Sequence, residues 1–110
     1  MRECYSRAGL DPRETGYVEA HGTGTQAGDT NEANAIGNVL GAGRQDDNLL
    51  PVGSVKTNIG HTEATSGLAG IIKAVMAIEK GSIPPNLNFD QPNSKIPFQD
   101  LGIKVSLRPE

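Results

Sequence analysis

Two short glycine-containing segments constrain the fold of this chain more than any other feature. Residues 21–25 (HGTGT) and 56–61 (KTNIGH) each follow an apolar stretch and precede a stretch with helical periodicity. Such strand–turn–helix units build parallel sheets, because parallel strands need long crossover connections. We therefore predict an α/β fold with a mainly parallel sheet. Ligands bind such sheets at the carboxyl ends of the strands, where both segments are predicted to lie.

The hydrophobic pattern predicts strands at residues 17–20, 50–55 and 103–107. The second is almost continuously apolar, which is typical of an interior parallel strand. Alternation along the first strand places Tyr17, Glu19 and His21 on one face.

Helices are predicted at residues 2–9, from about residue 29 to 41, and from about residue 62 to 80. The middle helix is expected to begin at Asp29, with Glu32 completing a capping box. Its buried face is predicted to comprise Ala33, Ile36, Gly37 and Leu40. The last helix is apolar around nearly all of its first half. We therefore expect it to be a long buried apolar helix.

Charge and cysteine content exclude several functions. The net charge is −3 and basic residues do not cluster, so we expect no nucleic-acid partner. No apolar run approaches the ~18 residues of a membrane span. The single cysteine, Cys4, excludes an internal disulfide and fits a cytoplasmic location. It lies inside a short helix rather than at its start, so we do not expect a catalytic nucleophile there.

The two histidines carry the main functional prediction. His21 and His61 both follow predicted strands, each beside glycines that allow a ligand to approach closely. Two imidazoles placed in this way can direct two N–H donors at one developing oxyanion. They do not complete a zinc site, because no third ligand stands at a suitable spacing.

Four further polar residues remain open to two interpretations each. Thr23 and Thr25 can bond an extended ligand or the backbone of their own turn. Lys56 can tune the site, with Glu63 as its nearest acidic partner, or can be a solvated surface group. Asn58 can touch substrate or hold its turn, and the turn is favoured.

A nucleotide-binding module is the alternative from another class. Gly22, Gly24 and Gly28 follow a strand and precede a helix, as phosphate-binding glycines do, although their spacing differs from Gly-x-Gly-x-x-Gly. A pure interaction or scaffold role, in which the chain retains only a binding surface, is a further possibility, and it predicts that both histidines tolerate substitution without any change in partner binding.

Two long segments resemble signatures of one family. YVEAHGTGTQAGDTNEANAI and VGSVKTNIGHTEATSGLAGIIKAVMAIEKG, followed by IPPNLNF, resemble the β-ketoacyl synthase (ketosynthase) domain of polyketide synthases, in the condensing-enzyme family. The resemblance covers nearly all of residues 1–110. It implies a partial thiolase-like fold, a piece of the C-terminal half of the domain.

The resemblance also implies a reaction and its residues. Ketosynthases decarboxylate a malonyl-type extender on acyl carrier protein and condense it with an acyl thioester held on a cysteine. His21 and His61 match the two catalytic histidines and Lys56 the active-site lysine. Thr23 and Thr25 match threonines that bond the phosphopantetheine arm. No cofactor is implied to bind directly, and the implied partners are acyl carrier protein, acyl and malonyl thioesters, the rest of the domain and a second copy in a homodimer.

The chain departs from the family pattern in ways that bear on activity. It contains neither the Asp-Thr-Ala-Cys-Ser-Ser-like segment that carries the nucleophile nor the downstream Gly-Phe-Gly-Gly-Thr-Asn segment. Thr30 and Asn31 replace the Pro-Ile often found after Gly-Asp. We therefore expect the chain to be an internal piece of a ketosynthase and to be inactive alone.

Overall fold

The computed structural model describes residues 1–110. Its main elements, in chain order, are α1 (Arg2–Ala8), β1 (Val18–Glu19), α2 (Gln26–Ile36), β2 (Leu50–Gly53), α3 (Lys56–Ile59), α4 (Ser66–Lys80) and β3 (Ile103–Val105). Single 3₁₀ turns lie at Pro12–Glu14, Asp46–Asn48 and Glu63–Thr65, and a π-helical turn, Gly37–Gly41, extends α2. α1 ends at Gly9, whose φ of 65° is the left-handed conformation that favours glycine.

The three strands form one parallel sheet in the order β1-β2-β3. Val18 pairs with Val52, and Leu50 pairs with Ile103. The structure confirms the predicted parallel α/β sheet and the interior position of the second strand. All three strands are shorter than predicted, and the chain turns into α3 soon after β2.

The apolar core lies on the α2 side of the sheet. Leu50 and Ile103 are fully covered there. The predicted face of α2 is confirmed, since its members are buried: Ala33, Ile36, Gly37 and Leu40. The packing is close, because a Cβ on Gly41 would lie 2.0 Å from the Leu101 carbonyl oxygen.

The predicted start of α2 is wrong. The helix begins at Gln26, with Thr25 as its N-cap. Asp29 and Glu32 therefore lie inside the helix, and their carboxylates accept hydrogen bonds from the preceding loop instead of capping a later start. The extra turn fits because Gly28 has no side chain: a Cβ there would lie 2.5 Å from the Thr25 hydroxyl.

The expectation of a buried last helix is not confirmed. α4 begins at Ser66, after a 3₁₀ turn, and only Lys73 among its residues is buried. Its large apolar side chains are about half exposed or more: Leu68, Ile71, Ile72, Val75, Met76 and Ile78. The reason is geometric, because one small sheet covers a single stripe of a helix that is apolar on most sides. No helix of the chain has both the length and the apolar character needed to cross a membrane.

Candidate functional site

The loop after β1 is held by a carboxylate. Glu32 accepts hydrogen bonds from the backbone N–H of His21, at 2.7 Å, and from that of Gly22, at 2.9 Å. Gly22 has a φ of 48°, and a Cβ there would lie 2.7 Å from the Cβ of Ser54. Glycine is therefore required where this loop passes the end of β2.

The same contacts leave nucleotide binding at this loop without support. A phosphate-binding loop directs free N–H groups at its anion. Here the N–H groups of His21 and Gly22 bond Glu32, and the N–H of Gly24 bonds Asp29 at 3.2 Å. Two carboxylates thus take up donors that a phosphate would need and would also repel it.

The prediction that His61 directly follows a strand is wrong, because the short helix α3 lies between the end of β2 and this residue. His61 comes after Gly60, and its ring Nδ1 accepts a hydrogen bond of 3.0 Å from the backbone N–H of Glu63. Glu63 has a φ of 51°, an uncommon conformation for a residue other than glycine. With Nδ1 acting as an acceptor, the neutral ring carries its proton on Nε2, which remains available as a donor.

The two imidazoles lie together. The ring centroids of His21 and His61 are 5.7 Å apart, and the rings are almost perpendicular, at 87°. Both residues are exposed. The loop after β1 and the turn after α3 therefore bring together the two side chains that the sequence singled out, at a distance from which both can contact one small group.

The other candidate residues surround the pair with less specific contacts. The hydroxyls of Thr23 and Thr25 lie 3.3 Å apart and bond each other. Asn58 accepts a hydrogen bond from the Thr57 hydroxyl and donates a long one, 3.4 Å, to the Pro85 carbonyl, which fits the favoured turn role. Lys56 is half-buried and forms no ion pair with Glu63.

A largely buried polar cluster between β1 and α4 was missed by sequence reasoning. Lys73 of α4 pairs with the Glu19 carboxylate at 2.9 Å and donates to the Tyr17 hydroxyl at 2.8 Å. The Tyr17 hydroxyl donates in turn to Glu19, at 2.5 Å. Burial, reinforced by the hydrogen bond to Glu19, raises the pKa of Tyr17 well above its usual range, so the hydroxyl stays protonated.

Two signals in the sequence could have revealed this cluster. Tyr17 and Glu19 were placed on the same face of β1 as His21, and Lys73 is a lone cation within an apolar helical stretch. A charge at such a position needs a buried partner. The structure supplies Glu19.

The histidine pair lies outside the cleft between α2 and the segment that follows α4. That cleft has a volume of about 600 Å³ and is lined by residues including Glu32, Ser54 and Asn88, but by neither histidine. Cys4 is exposed in α1. Because both histidines are exposed and neither lines the cleft, their rings lie at an open surface of this chain.

A parallel α/β sheet with two adjacent imidazoles, one in the loop after β1 and one in the turn after α3, is the arrangement that the comparisons with known proteins have to match. The family model for the β-ketoacyl synthase C-terminal domain matches residues 1–90. The chain belongs to this family, as its sequence signatures predicted.

Polyketide synthases are similar to the chain along almost its whole length. The highly reducing polyketide synthase poxF of Penicillium oxalicum is 67% identical over 107 residues, which are 97% of this chain and 4% of that protein. The highly reducing polyketide synthase sor1 of Hypocrea jecorina is 60% identical over 105 residues, which are 96% of this chain and 4% of that protein. The chain therefore spans only a small part of these relatives.

Solved ketosynthases share the fold. The ketosynthase from module 1 of the bacillaene synthase of Bacillus amyloliquefaciens superposes with a TM-score of 0.89 at 35% identity, covering 99% of this chain and 20% of that one. The module 6 ketosynthase of the Bacillus subtilis bacillaene synthase gives 0.87 at 36% identity, over 96% and 19%. The fold is therefore thiolase-like, and the chain spans about a fifth of these ketosynthases.

Proposed function

We propose that this chain forms part of the active site of a β-ketoacyl synthase in polyketide or fatty acid biosynthesis. The enzyme would join a malonyl-type extender to an acyl thioester with loss of carbon dioxide. The observation that carries the proposal is the 5.7 Å separation between the ring centroids of His21, in the loop after β1, and His61, after α3. Membership of the family supports it.

In this reaction the histidines would act on the extender. Loss of carbon dioxide from the malonyl group leaves an enolate, whose negative charge develops on the thioester oxygen. Imidazole N–H groups already in place stabilise such an oxygen by about 3–4 kcal/mol per donor in well-studied cases. The Nε2 proton of His61 is suited to this role because Nδ1 is occupied by the Glu63 N–H.

The remaining candidate residues would assist. Lys56 would adjust the electrostatics beside the histidines as the active-site lysine. Thr23 and Thr25 would exchange their mutual hydrogen bond for bonds to the amides of an extended thioester arm. Asn58 would hold the α3 turn and reach substrate only through it.

The partners follow from the chemistry. The extender would arrive on the phosphopantetheine arm of acyl carrier protein, and no separate cofactor would be needed. The rest of a ketosynthase domain would supply the acyl-bearing cysteine, and two copies of the domain would form a homodimer. The domain segment would run over residues 1–110, beyond the 1–90 matched by the family model.

The test uses a complete ketosynthase domain that contains these residues. Malonyl-thioester decarboxylation and acyl condensation are measured separately for His21→Ala and His61→Ala. Each is expected to lower the decarboxylation rate by roughly 100- to 1,000-fold. Cys4→Ala is the matched control, because the exposed thiol in α1 should not matter.

Unchanged decarboxylation in both histidine variants would contradict the proposal. The 110-residue chain alone should fail to take up an acyl group from a radiolabelled thioester. Stoichiometric loading that disappears in Cys4→Ala would show that the chain carries its own nucleophile.

A further inference from the structure

One carboxylate contacts both of the segments that carry the histidines. Glu19 lies in β1, two residues before His21, and its Oε1 accepts a 2.5 Å hydrogen bond from the backbone N–H of Val55. Val55 follows β2 and immediately precedes α3, which leads to His61. The Glu19 carboxylate therefore links β1, which leads to His21, with the start of α3, which leads to His61.

The other oxygen of Glu19 is fixed from α4. Oε2 accepts from Lys73 at 2.9 Å and from the Tyr17 hydroxyl. The side chains of Lys73 and Glu19 retain only 7% and 12% of their exposure. Gly70 allows the close approach, since a Cβ there would lie 3.2 Å from the Glu19 Cγ.

Such a pair is not explained by stability alone. A buried ion pair can often be replaced by apolar residues without loss of stability, because removing both charges from water is costly. Aliphatic side chains at both positions would suit the apolar helix equally well. What they could not supply is an acceptor for the Val55 N–H.

We propose that Glu19 is a positioning residue for the histidine pair, an inference that rests on the proposed function. Its carboxylate, neutralised by Lys73, holds the Val55 amide and so sets the place of the α3 turn relative to the loop after β1. The ring centroid of His61 is thereby kept 5.7 Å from that of His21.

The test compares two double variants of a complete ketosynthase domain containing these residues. Glu19→Gln/Lys73→Met and Glu19→Leu/Lys73→Met both remove the buried charges and keep similar volumes. Only the first retains an oxygen that can accept from Val55. The readouts are melting temperature, kcat and KM for malonyl-thioester decarboxylation, and crystal structures that give the ring-centroid separation.

Both variants are expected to fold with similar melting temperatures. The glutamine variant should keep a decarboxylation rate close to that of the unsubstituted domain. The leucine variant should lose about 100-fold in kcat with little change in KM, because a ring displacement of about 1 Å has costs of that order. Its ring separation should depart from 5.7 Å.

Several outcomes would overturn the inference. A leucine variant that keeps the ring separation and the rate would show that the acceptor is dispensable. Equal losses in both variants would assign the effect to the charges, and unfolding of both would make the pair a folding element. If the unsubstituted domain does not decarboxylate malonyl thioesters, the proposed function fails, while the ring separation still decides the role of Glu19.

Discussion

The open face of α4 makes a prediction about association. Six large apolar side chains of this helix are between 48% and 81% exposed. Covering them would contribute on the order of 1–2 kcal/mol each, or roughly 6–12 kcal/mol together. That total is comparable with the net stability of a typical domain, about 5–15 kcal/mol. We therefore expect the 110-residue chain to self-associate through α4.

The perturbation is Ile71→Glu/Val75→Glu, which places two charges on neighbouring turns of this face. Sedimentation velocity over a range of concentrations should show larger species for the unsubstituted chain and a monomer for the variant. Binding of a hydrophobic dye should fall in parallel. In a complete ketosynthase domain the same change should be strongly destabilising if the face is covered there, because an unpaired buried charge is costly.

Gln45→Glu is the control. It adds a negative charge at an exposed position without removing apolar surface, so it should leave association unchanged. A monomeric unsubstituted chain that unfolds cooperatively near about 60 °C, a midpoint typical of mesophilic domains, would refute the reasoning.

Three further predictions concern the sheet and its loops. Because the pKa of Tyr17 is raised above its ordinary value of 10.0, unfolding releases a proton above that pH. The stability that Tyr17 contributes is complete below pH 10.0 and falls as the pH rises further. In urea titrations at alkaline pH, the Tyr17→Phe variant should therefore lose less stability with rising pH than the unsubstituted chain. An equal loss in both would contradict the assignment. Gly41→Ala should lower the free energy of unfolding by about 1–3 kcal/mol through overpacking. Gly67→Ala is the control and should not destabilise the chain, because the space around Gly67 is open. Equal effects of the two substitutions in chemical denaturation would contradict the packing argument. Gly22→Ala should disrupt the histidine loop, detected as loss of the ring-to-ring NMR contact between His21 and His61, and its retention would show that the loop tolerates a side chain.

The sequence predicted the three strands, their parallel arrangement and the helices α1, α2 and α4, but it predicted a turn where the short helix α3 lies. Apolar stretches, glycines at helix ends and the two histidine-containing segments depend on local interactions that can be recognised in the sequence. The parallel sheet and the juxtaposition of His21 and His61 could therefore be deduced. The start of α2 could not. Asp29 and Glu32 have the spacing of a capping box, but the flexible glycines before them allow another helical turn and free both carboxylates for the loop.

The predicted burial of α4 failed for a different reason. Periodicity reports which residues are apolar, not whether a partner surface exists to cover them. Local patterns could mark Lys73 as a cation in need of a buried partner but could not identify Glu19 as that partner, because the two residues lie far apart in the chain and meet only through the packing of α4 on β1. The functional roles of the site residues remain predictions.

The buried ammonium of α4 also determines how the helix is rolled about its own axis. Each residue advances a helix by about 100°, so a shift of one position would carry Lys73 away from its counterion and set hydrocarbon against the carboxylate. Aliphatic neighbours offer no comparable penalty, because one can replace another at the seam. A single polar side chain thus fixes the rotation of the helix about its axis. Exchanging Lys73 with the adjacent isoleucine should disturb the packing of α4 far more than exchanging any two of its aliphatic residues.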